Sequence, residues 1–183
     1  MELEIFKGRP KNTDNREEKE IKAYDLLDKL SVEYFRVDHE KTDTMEACAG
    51  IDKILGITIC KNLFLCNRQK TKFYLLLMPG NKPFKTKEIS AQIGSARLSF
   101  AGPEEMEKYL NITPGSVSVL GLMNDSDNDV TLLIDEDVLK DEFFGCHPLV
   151  NTSSLKFKTC DLTEKILPAV NHRYTTVVLK GED

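Results

Sequence analysis

Two runs of sequence decide the fold: Ile57-Thr58-Ile59-Cys60-Lys61-Asn62-Leu63-Phe64-Leu65-Cys66 and Lys72-Phe73-Tyr74-Leu75-Leu76-Leu77-Met78. Both are rich in strand-forming residues, and the polar link Asn67-Arg68-Gln69-Lys70-Thr71 suits a hairpin. Side chains alternate along a strand, so Ile59, Lys61, Leu63 and Leu65 share one face, and Cys60, Asn62 and Phe64 the other. Both faces are mainly apolar, which predicts a strand covered on both sides. Lys61 interrupts it. An unpaired buried ammonium is costly, so this position needs an anion, a polar cleft or a route to water. A functional cation and a lysine snorkelling from the strand end both satisfy that requirement, and the residues leave the two open.

Upstream, apolar residues at helical spacing predict a helix over 15–31, with Asp14 and Glu17 reading as a capping box. Residues 1–12 are polar and read as a flexible, loosely attached arm, leaving 13–183 as the domain. A short strand over 32–37 precedes a second helix that Thr44 can cap and that ends near Gly56. Downstream, 85–93 and 104–110 read as helices, the latter opened by Pro103. Thr113-Pro114-Gly115 is a turn leading into Ser116–Leu120, and 130–134 and 155–158 read as strands. A helix capped by Asp161 runs to about 170, and 174–179 is a β-branched closing strand. Short links between strands favour mixed or antiparallel pairing. The expected class is α+β: a single domain with a curved mixed or antiparallel sheet and surrounding helices.

At 183 residues the chain suffices for one domain with a substantial core. No apolar stretch approaches the ~20 residues of a membrane span. The first ten residues lack the pattern of a signal peptide, so a cytoplasmic protein is expected. Five cysteines without a C-x-x-C pair argue for reduced thiols. The three histidines show no zinc-site spacing, and neither a metal nor another cofactor is expected. No P-loop, G-x-G-x-x-G or G-x-S-x-G is present, which leaves nucleotide hydrolysis, dinucleotide redox chemistry and serine-esterase chemistry without support.

The net charge of −5 conceals an asymmetry. Between 60 and 100, Lys61, Arg68, Lys70, Lys72, Lys82, Lys85, Lys87 and Arg97 face one acid, Glu88, whereas 101–145 is strongly acidic. Local potential, not total charge, governs binding to a phosphate backbone, so the basic segment is a candidate RNA surface. An evenly solvated surface is the plain alternative. In Gly145-Cys146-His147-Pro148, the proline holds His147 extended and the glycine permits a sharp turn, an arrangement that can aim an imidazole into a pocket. A loop histidine bonded to local backbone is the alternative. Cys146 reads as a small apolar residue. Pro114-Gly115-Ser116-Val117-Ser118 offers backbone N–H groups that can hold a developing oxyanion. His39 and His172 read as structural or surface residues.

Together, Lys61-Asn62-Leu63-Phe64-Leu65, Arg97-Leu98-Ser99-Phe100-Ala101, Thr113-Pro114-Gly115-Ser116-Val117-Ser118, and Gly145-Cys146-His147-Pro148 with Asn151 resemble the YbaK/prolyl-tRNA-synthetase-associated editing family. Within it the chain is most similar to the free-standing PrdX, or ProXp-ala, branch. The resemblance spans roughly 15–179. It implies hydrolysis of the ester joining a wrong amino acid, alanine above all, to the acceptor end of proline tRNA. It also implies prolyl-tRNA synthetase as a further partner, and gives no role to DNA or membrane. By resemblance Lys61, Gly115 and Ser116 serve catalysis. Asn62, Ser118, His147, Pro148 and Asn151 serve substrate binding, with His147 selecting the amino acid. Val119 departs from the family pattern, which has proline at that place. Deacylation of cysteinyl-tRNA by the same fold, a non-catalytic tRNA- or synthetase-binding module, and a partner in amino-acid metabolism without RNA contact are the rival readings.

Overall fold

The computed structural model describes residues 2–41 and 45–181; the cap expected of Thr44 lies outside them. The strands are β1 (Ile5–Lys7), β2 (Tyr34–Asp38), β3 (Lys61–Cys66), β4 (Phe73–Met78), β5 (Ser99–Phe100), β6 (Val130–Asp135), β7 (Phe143–Cys146), β8 (Ser153–Lys158) and β9 (Tyr174–Val177). Helices α1 (Glu18–Lys29), α2 (Met45–Leu55), α3 (Thr86–Ile93), α4 (Pro103–Leu110) and α5 (Glu136–Lys140) lie between them, with a 3₁₀ turn at Val119–Asn124. A last helix begins as α6 (Thr159–Asp161), passes through a π segment at Leu162–Ile166 and ends as α7 (Leu167–Ala169). The α+β class holds, and its strands divide into two sheets. One is antiparallel in the order β1-β2-β8-β7. The other is mixed, β5-β3-β4-β6-β9, antiparallel where β3 meets β4 and β5, and parallel at β4–β6 and β6–β9.

The hairpin reading of the opening stretch is correct, with Lys61 opposite Met78 and Cys66 opposite Phe73. Alternation then sorts the side chains. Phe64, Leu75, Leu77, Leu132 and Ile134 enter a core shared with Tyr24, Leu27, Tyr34, Phe144, Leu155 and Phe157. Leu65, Leu76, Met78 and Leu133 project to the other face, where they pack with Ile89 of α3 and with Leu98 and Val177. Strands buried on both faces read as near-continuous apolar runs, as this hairpin does.

Several local expectations give way to tertiary contacts. The strand expected over 57–66 starts only at Lys61, because residues 57–60 pass toward the other sheet, where the Cys60 N–H donates to the Gly145 carbonyl at 3.4 Å. Part of the arm expected to be loose is β1, paired with β2 from Ile5↔Val37 to Lys7↔Phe35. Backbone bonds hold it rather than a buried side chain, so its composition carries no signal. The capping box does not form: Glu17 is the N-cap, with no side-chain bond to the helix end. Arg16 and Glu20 are drawn instead into a buried network with Asp38. Asp161 lies inside the last helix rather than capping it. Ser116–Leu120 forms a turn and the start of a 3₁₀ helix, capped where the Leu120 N–H donates to Ser118 Oγ.

Lys82 belongs to the frame rather than to the RNA surface expected of it. Its ammonium donates to Asp135 Oδ2 at 2.6 Å, Asp137 Oδ2 at 2.8 Å and the Leu179 carbonyl at 2.6 Å. Burial disfavours the charge, but the two carboxylates outweigh it and raise the lysine above its ordinary value. Asp135 is fully buried at 0% exposure, so removing its partner strands a charge. Lys82→Met should therefore destabilise the protein by roughly 3–5 kcal/mol, measured by urea unfolding. A change within about 0.5 kcal/mol would show that the pair does not hold the fold.

Candidate active site at the seam of the two sheets

The first residues of β3 and the last of β7 meet where the sheets adjoin. Gly145 makes the approach possible: an added Cβ would lie 2.5 Å from Ile57 Cδ1 and 3.2 Å from Ile59 Cγ1. Here a cleft of about 260 Å³ is lined by Ile59, Cys60, Lys61, Asn62, Leu63, Gly115, Val117, Cys146 and His147. Lys61 and His147, each singled out from the sequence, line the same hollow. A wider hollow of about 650 Å³ near Asp52 and Asp141 contains none of the expected site residues.

Lys61, the first residue of β3, is half-buried, and its ammonium donates to the Lys82 carbonyl at 2.6 Å. An ammonium has three donors, so two remain. Asn62 lines the cleft, and both ends of its amide are used by backbone. Its Nδ2 donates to the Cys60 carbonyl at 3.1 Å, and its Oδ1 accepts the Val119 N–H at 3.0 Å. The Val119 departure thus supplies a donor that proline lacks, tying the glycine turn to β3 by a hydrogen bond.

Gly115 takes φ +88, a left-handed conformation that glycine adopts freely, and a Cβ there would sit 3.3 Å from Asn151 Nδ2. Ser116 is only 4% exposed, and its N–H is committed to the Thr113 carbonyl at 3.1 Å. Ser116, expected to serve catalysis, therefore neither lines the cleft nor offers it an N–H; among the described residues, Gly115 and Val117 are the turn's cleft-lining residues with uncommitted N–H groups. Ser118 is fully buried as the 3₁₀ cap, and Pro148 is also buried; neither lines the cleft, so both shape it from behind.

His147 lies in the cleft wall with Nδ1 2.8 Å from the Ser153 carbonyl. A carbonyl only accepts, so Nδ1 carries the proton and the neutral ring presents Nε2 as an acceptor. Behind it, Ser154 Oγ lies 3.4 Å from His147 Nδ1 and 2.9 Å from His39 Nε2. The His39 ring, 6.1 Å from that of His147, bonds the Glu40 carbonyl through Nδ1. Ser153 is held by Asp38, which Arg16 grips at 2.9 Å. Burial opposes ionisation of Asp38, but Arg16, Ser153 and Arg36 prevail and lower its pKa. The sequence reading set His39 aside and named neither Ser153 nor Ser154, and no local motif marks them. They reach His147 only through β2–β8 pairing, which places Asp38 opposite Ser153 and Val37 opposite Ser154.

Burial pushes both cleft cysteines up to about 12, which leaves Cys60 and Cys146 as thiols rather than nucleophiles. Among the described residues, no group of histidine, cysteine, aspartate or glutamate side chains is arranged to hold a metal. The basic segment divides by location. Arg68, Lys70 and Lys72 sit in the exposed β3–β4 hairpin at the far end from Lys61, where Lys70 pairs with Glu105 at 2.9 Å. Lys85, Lys87 and Arg97 line a separate cleft.

Residues 39–165 match the aminoacyl-tRNA editing domain family. The chain belongs to that family. Prolyl-tRNA editing protein ProX of Acetoanaerobium sticklandii is 31% identical over 153 residues, which cover 84% of this chain and 93% of that one. Prolyl-tRNA synthetase associated domain-containing protein 1 of Danio rerio is 26% identical, over 85% of this chain and 83% of its own. A crystal structure of a candidate trans-editing enzyme for prolyl tRNA synthetase shares the fold, with a TM-score of 0.65 at 14% identity over 89% of this chain and 98% of that one. The expected enzyme class holds: the chain is an aminoacyl-tRNA hydrolase. Among the described residues, no helix is long and apolar enough to cross a membrane.

Burial holds the His147 imidazole below its ordinary value; the Ser153 carbonyl opposes this, and His39 adds to the lowering. A depressed imidazole contributes stability that is present at neutral pH and lost as pH falls through the ~6.5 at which the unfolded chain takes its proton. Replacing His147 by glutamine should flatten the decline in unfolding free energy between about pH 7 and pH 5, measured by urea titration at each pH. An unchanged slope would place that linkage in another group.

Proposed function

We propose that the protein is a trans-editing deacylase that removes alanine from alanyl-tRNA(Pro), acting in the cytoplasm, with residues 13–183, completed by the edge strand β1, as the editing unit. The observation that carries this reading is the cleft of about 260 Å³ shared by Lys61, the Gly115 turn and His147. It is smaller than the ~300–1,000 Å³ typical of sites for drug-sized ligands, and its Ile59, Leu63 and Val117 walls suit a methyl group better than a ring. Prolyl-tRNA editing in the Acetoanaerobium relative supports the choice of tRNA. Size exclusion answers the selectivity problem, because attraction alone discriminates one methylene by only ~1–3 kcal/mol.

No nucleophilic side chain is needed. An aminoacyl ester is already activated, so the site has only to orient it, admit water and stabilise the tetrahedral oxyanion. The Gly115 and Val117 N–H groups and the remaining Lys61 donors supply that stabilisation. His147 Nε2, an acceptor, suits the α-ammonium of the aminoacyl group. A ribose hydroxyl of the tRNA assists the attacking water. Prolyl-tRNA synthetase would supply the mischarged substrate.

Deacylation assays on alanyl-, cysteinyl-, seryl- and prolyl-tRNA(Pro) test the proposal. Alanine should be released and proline retained; equal release of both would end the size-exclusion reading, and preferential cysteine release would reassign the substrate. Lys61→Ala should lower kcat by on the order of 10²–10³ while the circular dichroism spectrum stays native. Full turnover by that variant at saturating substrate would refute the assignment.

A further inference from the structure

Phe100 is the most exposed large apolar side chain among the described residues, at 62%. It sits on β5, the edge strand of the mixed sheet, directly opposite Leu65 of β3. Alternation puts Leu65 on the same face as Lys61, so the Phe100 ring stands on the Lys61 face, four residues along β3. At a rise of ~3.3 Å per residue this separation is roughly 13 Å. Phe84 lies beneath it, ring centroids 5.7 Å apart, and itself packs on the Leu65–Ile89 cluster. The exposed ring is thus backed by a second aromatic and by the core.

Basic side chains gather beside Phe84, the ring that backs Phe100. Phe84, Lys85, Thr86, Lys87, Ser90 and Arg97 line a cleft of about 530 Å³. Arg97 lies three residues before Phe100, and Lys87 is exposed in the first turn of α3. The nearby carboxylates are partly committed: Glu88 accepts the backbone N–H groups of Lys180 and Gly181 at 2.8 and 3.1 Å, and Glu105, beside Gly102, pairs with Lys70 at 2.9 Å, while Glu104 is exposed. Protein-docking surfaces are depleted in lysine around their apolar anchors. An exposed aromatic with a basic cleft beside it is instead the arrangement that holds single-stranded nucleic acid, with a base on the ring and phosphates on the cations.

We propose that Phe100, backed by Phe84 and flanked by Lys87 and Arg97, is a stacking platform for an unpaired base of the tRNA 3′ end, a few nucleotides before the esterified adenosine. The inference rests on the editing reading and extends it: the roughly 13 Å from Lys61 to the platform corresponds to about four nucleotides at a stacked spacing of ~3.4 Å, and to fewer if the strand is extended. The terminal adenosine would then occupy the small cleft while an upstream base caps Phe100. The platform has no means of reading base identity by hydrogen bonds, so it contributes affinity for an unpaired end and not sequence preference.

The chain has no tryptophan, so Phe100→Trp installs a single indole reporter. Titrating that variant with a short single-stranded RNA ending in CCA should quench the indole saturably, with an affinity that falls as salt rises. A duplex of the same length without an overhang should quench far less. In turnover, Phe100→Leu, which keeps apolar area but loses the ring, should raise KM for mischarged tRNA by at least about fivefold, the lower end of what one stacked base contributes. Phe100→Tyr should restore the wild-type value. Indole emission indifferent to RNA, quenching equal for duplex and single strand, or a leucine variant with wild-type KM would each overturn the platform. Because the fluorescence arm needs no turnover, a protein that stacks RNA but hydrolyses no mischarged tRNA would refute the editing reading and leave the platform standing.

Discussion

The ammonium of Lys82 is the constraint from which the site is built. It is locked between Asp135, Asp137 and the Leu179 carbonyl, and so joins the segment after β4 to the end of β6 and to the chain beyond β9. The carbonyl of the same residue accepts the Lys61 ammonium. One lysine is therefore spent on structure so that another can be held at the mouth of a cleft. The arrangement also answers how a cation survives in an apolar hairpin. Lys61 is the first residue of its strand, half-buried at the edge of the cleft, with one donor satisfied by backbone.

The second support lies behind His147. Tyr24 Oη donates to Glu20 Oε1 at 2.6 Å, Glu20 receives Arg16 at 2.8 Å, and Arg16 passes on to Asp38 and so to Ser153, whose carbonyl fixes the imidazole. Buried polar groups are costly unless satisfied, and here each member satisfies the next. The network ties α1 to the back of β2 and β8, which is why Arg16 and Glu20 serve there instead of capping their own helix. The imidazole is thereby presented as a neutral acceptor, a state suited to recognition rather than to charge.

Between these supports the two sheets adjoin at Gly145, and the cleft is the gap left where β3 and β7 diverge. The Gly115 turn closes it, anchored through Asn62 and Val119. Three sequence-distant segments converge there, and burial holds the two cysteines among them as thiols. On the proposed deacylase reading, such a site has only to stabilise an oxyanion and admit water, which is sufficient for an ester already poised to hydrolyse.

What the residues alone determined was whatever depends on short-range periodicity. The β3–β4 hairpin, the placement of Phe64 and Leu65 on opposite faces, most helices and the anomaly of Lys61 follow from alternation, propensity and the cost of burying charge. The four motifs, read together, also identified the editing family. Tertiary structure alone decided which N–H groups of the glycine turn stay uncommitted, since Ser116 bonds Thr113 and Val119 bonds Asn62. It alone placed Lys82 among buried carboxylates and brought His39, Ser153 and Ser154 behind His147. The physical reason is common to these cases. A hydrogen-bond partner far along the chain is chosen by strand pairing and sheet packing, and those long-range contacts leave no periodic trace in either segment by itself.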